Sequence, residues 1–369
     1  MLLMHKNDIV ARVQMYNRKP MGVEGVVNDN LMPMGLRGSL EKADCNISAW
    51  NAKRAIPRGR INSEELFKRF GDPDALSVKS YGLSLTDCYW LKDENSNLTW
   101  ENVNLFSNSF TPDMLLFMNH MLNKQGISPD YTTDGMLEKF WTIINRKPCL
   151  VKSGEFPGVT KGSGILAVNE IATCRIAKLM EIPHAEYKAT HVEGIPGLFC
   201  SSKCIIENDS TEFVPAFSIK EQFFSFSDSD SVIGKVFADM GLERELKQML
   251  KFDFLIGNYD RHLSNLGIIQ DSQTMDIVGF APLFDSGSSL AWNGELAHNL
   301  RPFDKTRDEC AKELVTEDFP EKETVLKIIQ ETYEENNVPE YCHENARKTI
   351  EVGYEMVAEK IKEQSVFFQ

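Results

Sequence analysis

Apolar residues alternate with polar ones early in the chain and recur at helical spacing late in it. Over residues 9 to 36, IVARVQMY, MGVEGVV and LMPMGL are set apart by turn-forming residues, a pattern that predicts strands. Residues 50 to 125 predict mostly helix and loop, including a helix opened by Thr111 that runs through MLLFMNHML. From residue 126 the texture changes. TTDGMLEKFWTIINRKPCLVKS predicts two strands around a turn at Asn145 and Arg146, with Trp141, Ile143, Ile144, Leu150 and Val151 as strand formers. GILAVNEIATCRIAKLM brings Leu166, Ile171, Ile176 and Met180 near one face of a helix. AEYKATHV and GLFCSSKCII read as further strands, SVIGKVFADMGL and LERELKQMLKFDFLIGN as helices, and DIVGFAPLFDSGSSL as a short β unit. Long helical patterns run from residue 321 to the end. The expectation is an α+β protein of two lobes, β-rich first and mainly helical second, with a ligand cleft between them.

Composition narrows the functional classes. The 369 residues are 42% hydrophobic, enough for a sizeable core and for two or three subdomains. The formal net charge of -14 argues against direct nucleic-acid binding, which needs clustered Lys and Arg. A local basic patch is left open by Arg54, Arg58, Arg60, Lys68 and Arg69. The acidic surplus between residues 304 and 345 predicts solvated helix faces. The apolar start MLLMHKNDIVAR is broken by His5, Lys6 and Asp8, unlike a signal peptide, and no run approaches a membrane span. The eight cysteines are scattered, and Cys200 with Cys204 has no second Cys or His pair at zinc spacing. The expected setting is a reducing cytoplasm, without a membrane.

The chemistry is sought in LIGNYDRHLSN, residues 255 to 265, where an apolar helix-like run gives way to Asn258, Asp260, Arg261, His262 and Asn265. Alone, such a cluster reads as solvated loop. Phosphoryl transfer requires positioning and charge neutralisation more than covalent work: a glycine-containing turn over the phosphates, a Lys on a neighbouring strand and a helix Glu to fix it. It also requires a loop Asp beside the acceptor hydroxyl, and an Asn and a second Asp on the metal. Asp260 and Asn265 stand five apart, the spacing of D-x-x-x-x-N. Asp285 leaves an apolar run two residues before Gly287, as in a D-x-G metal motif, with an Asx-turn as the plain alternative. Lys152 ends the strand PCLVK and Glu170 lies on the AVNE helix; their plain alternatives are a strand-edge Lys and a surface Glu. Gly135 in TTDGMLEK lets backbone approach phosphate oxygens. Each is weak alone, but the order Gly135, Lys152, Glu170, Asp260, Asn265, Asp285 is the one this chemistry uses.

TTDGMLEKFW, the Lys of CLVKS, the AVNE helix, IGNYDRHLSNLG and APLFDSGSSL together resemble HipA-like serine/threonine kinases, distant relatives of eukaryotic protein and phosphoinositide kinases. The likeness covers residues 126 to 300 closely, and the first hundred residues only loosely. It implies a bilobal protein-kinase-like fold: an N-terminal β-rich segment and helical insert over 1–125, a kinase N-lobe over 126–212 and a helical C-lobe over 213–369. It also implies ATP and Mg²⁺ as cofactors and a Ser or Thr hydroxyl of a protein as acceptor. Asp260 would be the catalytic Asp, Asn265 and Asp285 the metal ligands, Lys152 a phosphate contact and Glu170 its anchor, while Asn258 and His262 brace the loop. Adenine would sit near residues 204 to 208. Some relatives phosphorylate a Ser in their glycine loop. Thr132 stands at the matching place, with Thr133 beside it, and the loop lacks the Ala-Gly-Ala-Gln run. Thr132 and Thr133 are therefore candidate cofactor-loop and autophosphorylation positions. Relatives pair with a small DNA-binding antitoxin, a route to DNA that suits an acidic chain. The alternatives are a nucleotide-binding pseudokinase acting as a regulatory interaction module, and a kinase for lipids or small molecules.

Overall fold

The computed structural model describes residues 1–61, 63–110, 128–225 and 227–366. It is a mixed α and β protein that divides into two compact units, each assembled from separated stretches of chain. The first comprises Met1–Lys152, Lys203–Phe226 and Ile268–Gly279.

That unit is built on a four-stranded sheet of β1 (Leu2–His5), β2 (Asp8–Tyr16), β3 (Lys19–Val26) and β4 (Tyr89–Lys92), in the order β3-β2-β1-β4. β1 pairs antiparallel with both β2 and β4, Leu3 facing Ala11 on one side and Leu91 on the other. Both faces of this central strand are buried. Leu2 and Met4 pack with Leu83, Trp90, Trp100 and Ile206, whereas Leu3 packs with Val10, Val13, Met32, Ile47 and Leu91. A strand covered on both sides reads as a continuous apolar run, which is why LLM lacks alternation. Each such side chain contributes about 1.5–3 kcal/mol on burial. The Leu40–Lys53 helix, capped by the Ser39 hydroxyl accepting from Lys42 N at 3.1 Å, carries Ala43 and Ile47 into that second cluster.

Two expectations fail here. LMPMGL is a turn, its apolar Met32 and Leu36 filling the core without pairing, and β4 lies within the stretch expected to be helix and loop. Of the basic residues singled out there, Arg60 is buried, Arg54 is paired with Asp87 and the exposed Arg58 with Asp72. The helix expected to open at Thr111 lies outside the described residues.

The chain returns to this unit twice, and one carboxylate fastens both returns. Glu212 Oε1 accepts from His5 Nε2 at 2.9 Å and from the Cys88 amide at 2.7 Å, while Oε2 accepts from Gln270 Nε2 at 2.8 Å. Burial pushes the Glu212 pKa up, but these donors outweigh it and hold it below the ordinary glutamate value. His5, Cys88 and Glu212 lie close enough to suggest a metal set, but donors already occupy both carboxylate oxygens.

The hairpin of β5 (Lys139–Ile144) and β6 (Lys147–Ser153) turns at Asn145 and Arg146, both left-handed at φ 51° and 63°. That is the two-residue turn whose twist suits flanking strands.

The second unit comprises Ser153–Ser202, Ser227–Gly267 and Phe280–Gln369. It holds the Ile165–Leu179 helix, a hairpin of Tyr187–Val192 and Ile195–Lys203, and the helices Ile233–Asp239, Glu243–Ile256, Arg307–Glu313, Lys322–Glu335 and Glu340–Val366. The Ile165–Leu179 helix is buried along most of its length, including Asn169 and Glu170. Its amphipathic stripe is thus only part of its buried surface.

Candidate active site

The Glu243–Ile256 helix buries Leu246, Met249, Leu250, Phe252 and Phe254. It stops at Gly257, whose φ of 63° is left-handed and whose added Cβ would meet Thr349 Cγ2 at 2.8 Å. Asn258 N bonds back to Asp253 O at 2.9 Å, closing the end and turning the chain into the loop. Asn258 is fully buried. Its amide donates to Asp253 Oδ1 at 2.9 Å, and its Oδ1 accepts from Asp260 N at 3.1 Å.

Arg261 organises the rest of the loop. It is 0% exposed and grips Asp253 with two bonds, Nε to Oδ2 and Nη2 to Oδ1, each 3.0 Å. Its remaining donors reach Asn265 O at 3.2 Å, Phe284 O, and Ser286 Oγ at 3.0 Å. Burial works against the guanidinium charge, yet Asp253, with Asp285 and Glu170 beyond it, raises its pKa above the ordinary value. One side chain therefore ties the backbone at Asn265 to the Phe284 carbonyl and the Ser286 hydroxyl, on either side of Asp285.

Asp285 is held from three more directions. Leu283 exchanges backbone bonds with the 183–185 segment, its N donating to Pro183 O and its O accepting from Ala185 N, both at 2.8 Å. Asp285 N donates to Tyr187 Oη at 3.2 Å. Ser286 N donates to Glu170 Oε2 at 2.9 Å, and Asn169 Nδ2 donates to Gly287 O and Ser289 O at 3.2 and 2.7 Å. Asp285 itself has φ 58°, a conformation L-residues adopt at a cost and one that concentrates at functional sites. The AVNE helix thus grips the DSG turn, and Glu170, only 3% exposed, is no surface residue.

Asp260 lies within electrostatic reach of Asp285. Packing around its carboxyl raises its pKa, as does the Asp285 charge, against the pull of His262, Arg301 and Arg261. Arg301 Nη1 stands 3.8 Å from Asp260 Oδ1, at the solvent edge. Asn265 Nδ2 faces His262 Nε2 at 3.2 Å, so the amide oxygen is turned away from that contact. Ser264 N donates to the other ring nitrogen, Nδ1, at 3.3 Å.

The remaining candidates lie in the first unit. Lys152, at the end of β6, is buried and in register with Lys139 of β5, also buried. Gly135 has φ 101°, a backbone conformation that favours glycine, and its turn passes close to Lys139 Nζ, which a Cβ there would meet at 2.0 Å. The Thr132 hydroxyl donates to Leu83 O at 2.6 Å. Thr133 is buried, donating to Pro129 O at 2.8 Å and accepting from Trp141 Nε1 at 3.0 Å. At the expected adenine segment, Cys204 N donates to Pro148 O at 3.0 Å and burial pushes the thiol up to about 12.

The structure gathers Glu170, Asp260, Asn265 and Asp285 in the second unit, and Thr132, Thr133, Gly135 and Lys152 in the first. The sequence reading gave no role to Asp253, Arg261 or Lys139. A signal for the first two existed: Asp253 is a carboxylate inside the apolar run KFDFLI, where burial demands a partner.

No protein-family model matches the sequence, and no curated protein matches it. Solved structures do. HipA of Shewanella oneidensis MR-1, determined with HipB and its operator DNA, aligns over 97% of this chain and 98% of its own, with a TM-score of 0.60 at 12% identity. The fold is that of HipA. The HipA likeness spans nearly the whole chain, beyond residues 126 to 300 where the motifs lie. The Helicobacter pylori proinflammatory kinase CtkA aligns over 61% of this chain and 95% of its own, with a TM-score of 0.43 at 15% identity. No described helix is long and apolar enough to cross a membrane.

Proposed function

We propose that the chain is an ATP- and Mg²⁺-dependent serine/threonine protein kinase of the HipA type. One observation carries this reading: a buried guanidinium fixes Asn265 and the Asp285 turn to each other, with Asp260 in the field of Asp285. Two carboxylates and an amide oxygen are the hard donors Mg²⁺ prefers. Burial first, and then the Asp285 charge, raise the Asp260 pKa, and a divalent cation beside the two carboxylates would relieve their mutual repulsion. Asn265 Oδ1 and Asp285 would hold that ion, which supplies charge neutralisation at the phosphates. Asp260 orients the acceptor hydroxyl and accepts its proton as transfer completes. Lys152 and the Gly135 turn grip the phosphates, with Lys139 adding a second ammonium at that turn. Glu170 anchors the metal turn through Ser286.

The protein works in the cytoplasm on a protein acceptor, and as a toxin restrained by a small DNA-binding partner. The net charge of -14 favours indirect contact with DNA, and HipA of Shewanella was determined with HipB and operator DNA. Autophosphorylation at Thr132 or Thr133 requires the turn to open, because both hydroxyls donate to backbone carbonyls within the unit. Peptide mass spectrometry after incubation with ATP and Mg²⁺ tests it, and the absence of phosphate on residues 128 to 133 rejects it. The deciding experiment for the kinase is incubation of wild type and Asp260→Ala with labelled ATP, Mg²⁺ and a cell lysate. Label in protein bands with wild type alone supports the reading, and equal labelling by both removes Asp260 from catalysis. Label in lipid or small molecules instead would support the alternative acceptor.

A further inference from the structure

The segment around residue 60 belongs to a region whose purpose the sequence did not disclose, yet it is bonded directly to the glycine turn. Arg60 is 5% exposed. Its Nε donates to Gly135 O at 2.9 Å and its Nη2 to Thr133 O. The next residue adds a backbone bond, Ile61 N to Met136 O at 3.0 Å. Packing is equally close, since a Cβ on Gly59 would meet Met136 Cε at 2.8 Å. Two successive residues therefore hold the turn, and the two side-chain bonds come from a planar fork that matches two carbonyls at once.

Arg60 has no ion pair among the described residues, only the more distant charges of Asp134 and Asp130, and its Nη1 is buried without a hydrogen-bond acceptor. Burial lowers its pKa to about 10, so the cation persists at neutral pH. A cation left this poorly compensated is a costly way to fasten a surface loop. An apolar residue would fill the volume at lower cost, but would not fix two carbonyl directions.

We infer that Arg60 is the positioning residue for the phosphate turn, holding Thr133 and Gly135 by their carbonyls so that the turn's amides keep the shape that receives nucleotide. This rests on the reading of residues 132–135 as the phosphate turn. Arg60 touches no reacting group; it acts through the turn. Arg60 and Ile61 then serve the enzyme by supplying this clamp.

The test uses the full chain with Arg60→Met, which keeps volume without donors, and Arg60→Lys, which keeps charge but loses the fork. Amide hydrogen exchange of residues 132–138 is measured without nucleotide, and ATP affinity is measured with Mg²⁺. Faster exchange in the turn, with unchanged exchange in β1 to β4, and ATP binding weakened about tenfold in Arg60→Met is the expected result. Arg60→Lys should fall between Arg60→Met and wild type, and decides the matter if Arg60→Met does not fold. KM for ATP should rise more than kcat falls. Unaltered exchange in the turn overturns the clamp, and faster exchange with unaltered ATP affinity overturns its role in positioning. Failure of wild type to bind ATP at all sinks the underlying kinase reading instead, while the exchange data still report whether the clamp exists.

Discussion

The Asp260 carboxyl shows how neighbours set the chemistry of one group. Two influences raise its pKa, its packing and the Asp285 charge, and three cations or potential cations oppose them. In nucleotide-free protein, Asp285→Asn should therefore lower the Asp260 pKa, and Arg301→Ala should raise it further. Carbon-detected NMR titration of the aspartate carboxyls reads both, and a shift in the opposite sense for either variant would place these groups out of mutual reach. Arg261 belongs to the same scale. Replacing it with Lys leaves Asp253 buried with at most one of its two bonds and releases the carbonyls of Asn265 and Phe284. A loss of about 1–3 kcal/mol in urea denaturation is expected, since the charge is kept but buried acceptors lose their donors. In sequence, Arg261 looked like any loop arginine, because its meaning depends on a carbonyl and a hydroxyl more than twenty residues away.

Among elements, those whose signal is local are the readable ones. The β5–β6 hairpin is fixed by its own two turn residues, and both left-handed angles appear where the turn was expected. Arg146 holds φ 63° without glycine's freedom, so Arg146→Gly should raise stability by about 1 kcal/mol in thermal denaturation. No gain would mean that its side chain supplies a compensating contact. β1 and β4 were missed for the opposite reason. Each spans four residues, too short to show alternation, and the pairing of β4 with β1 joins positions almost ninety apart, although β1 turns directly into β2 at Lys6 and Asn7. LMPMGL misled because burial alone, without a partner strand, produces the same apolar run. Of the site, Asp260, Asn265 and Asp285 could be found by spacing, but the charge and bond network that gathers them could not.

The whole molecule is two units whose pieces are not contiguous, and Glu212 is where the first unit is sewn shut. It joins β1, the approach to β4 and the strand that contains Gln270. Its pKa is held below the ordinary value, so the stability it supplies is present in full above the glutamate range and disappears as pH falls through the depressed folded value. Glu212→Ala should destabilise this unit by about 3 kcal/mol at neutral pH, because three buried donors lose their acceptor. The wild-type advantage should narrow on acidification below about pH 4. A deficit independent of pH would assign the effect to lost packing.

Two carboxylates of the second unit give the most discriminating test of function. Asp260 and Asp285 share a loop network, yet in the kinase reading they serve different partners, the acceptor hydroxyl and the metal. If so, Asp260→Ala should abolish phosphotransfer and leave Mg²⁺-dependent ATP binding near wild type, because the phosphate grip does not use that carboxylate. Asp285→Ala should weaken ATP binding with Mg²⁺ by about tenfold or more, yet have little effect on binding in excess chelator, because only the metal-bridged part of the grip is lost. Isothermal titration calorimetry of both variants, with Mg²⁺ and with chelator, separates the outcomes. Equal loss of affinity in the two would mean that removing either carboxylate collapses the Arg261 network. Undiminished Mg²⁺-dependent binding in Asp285→Ala would return Asp285 to the role of a strained turn residue and take the metal site with it.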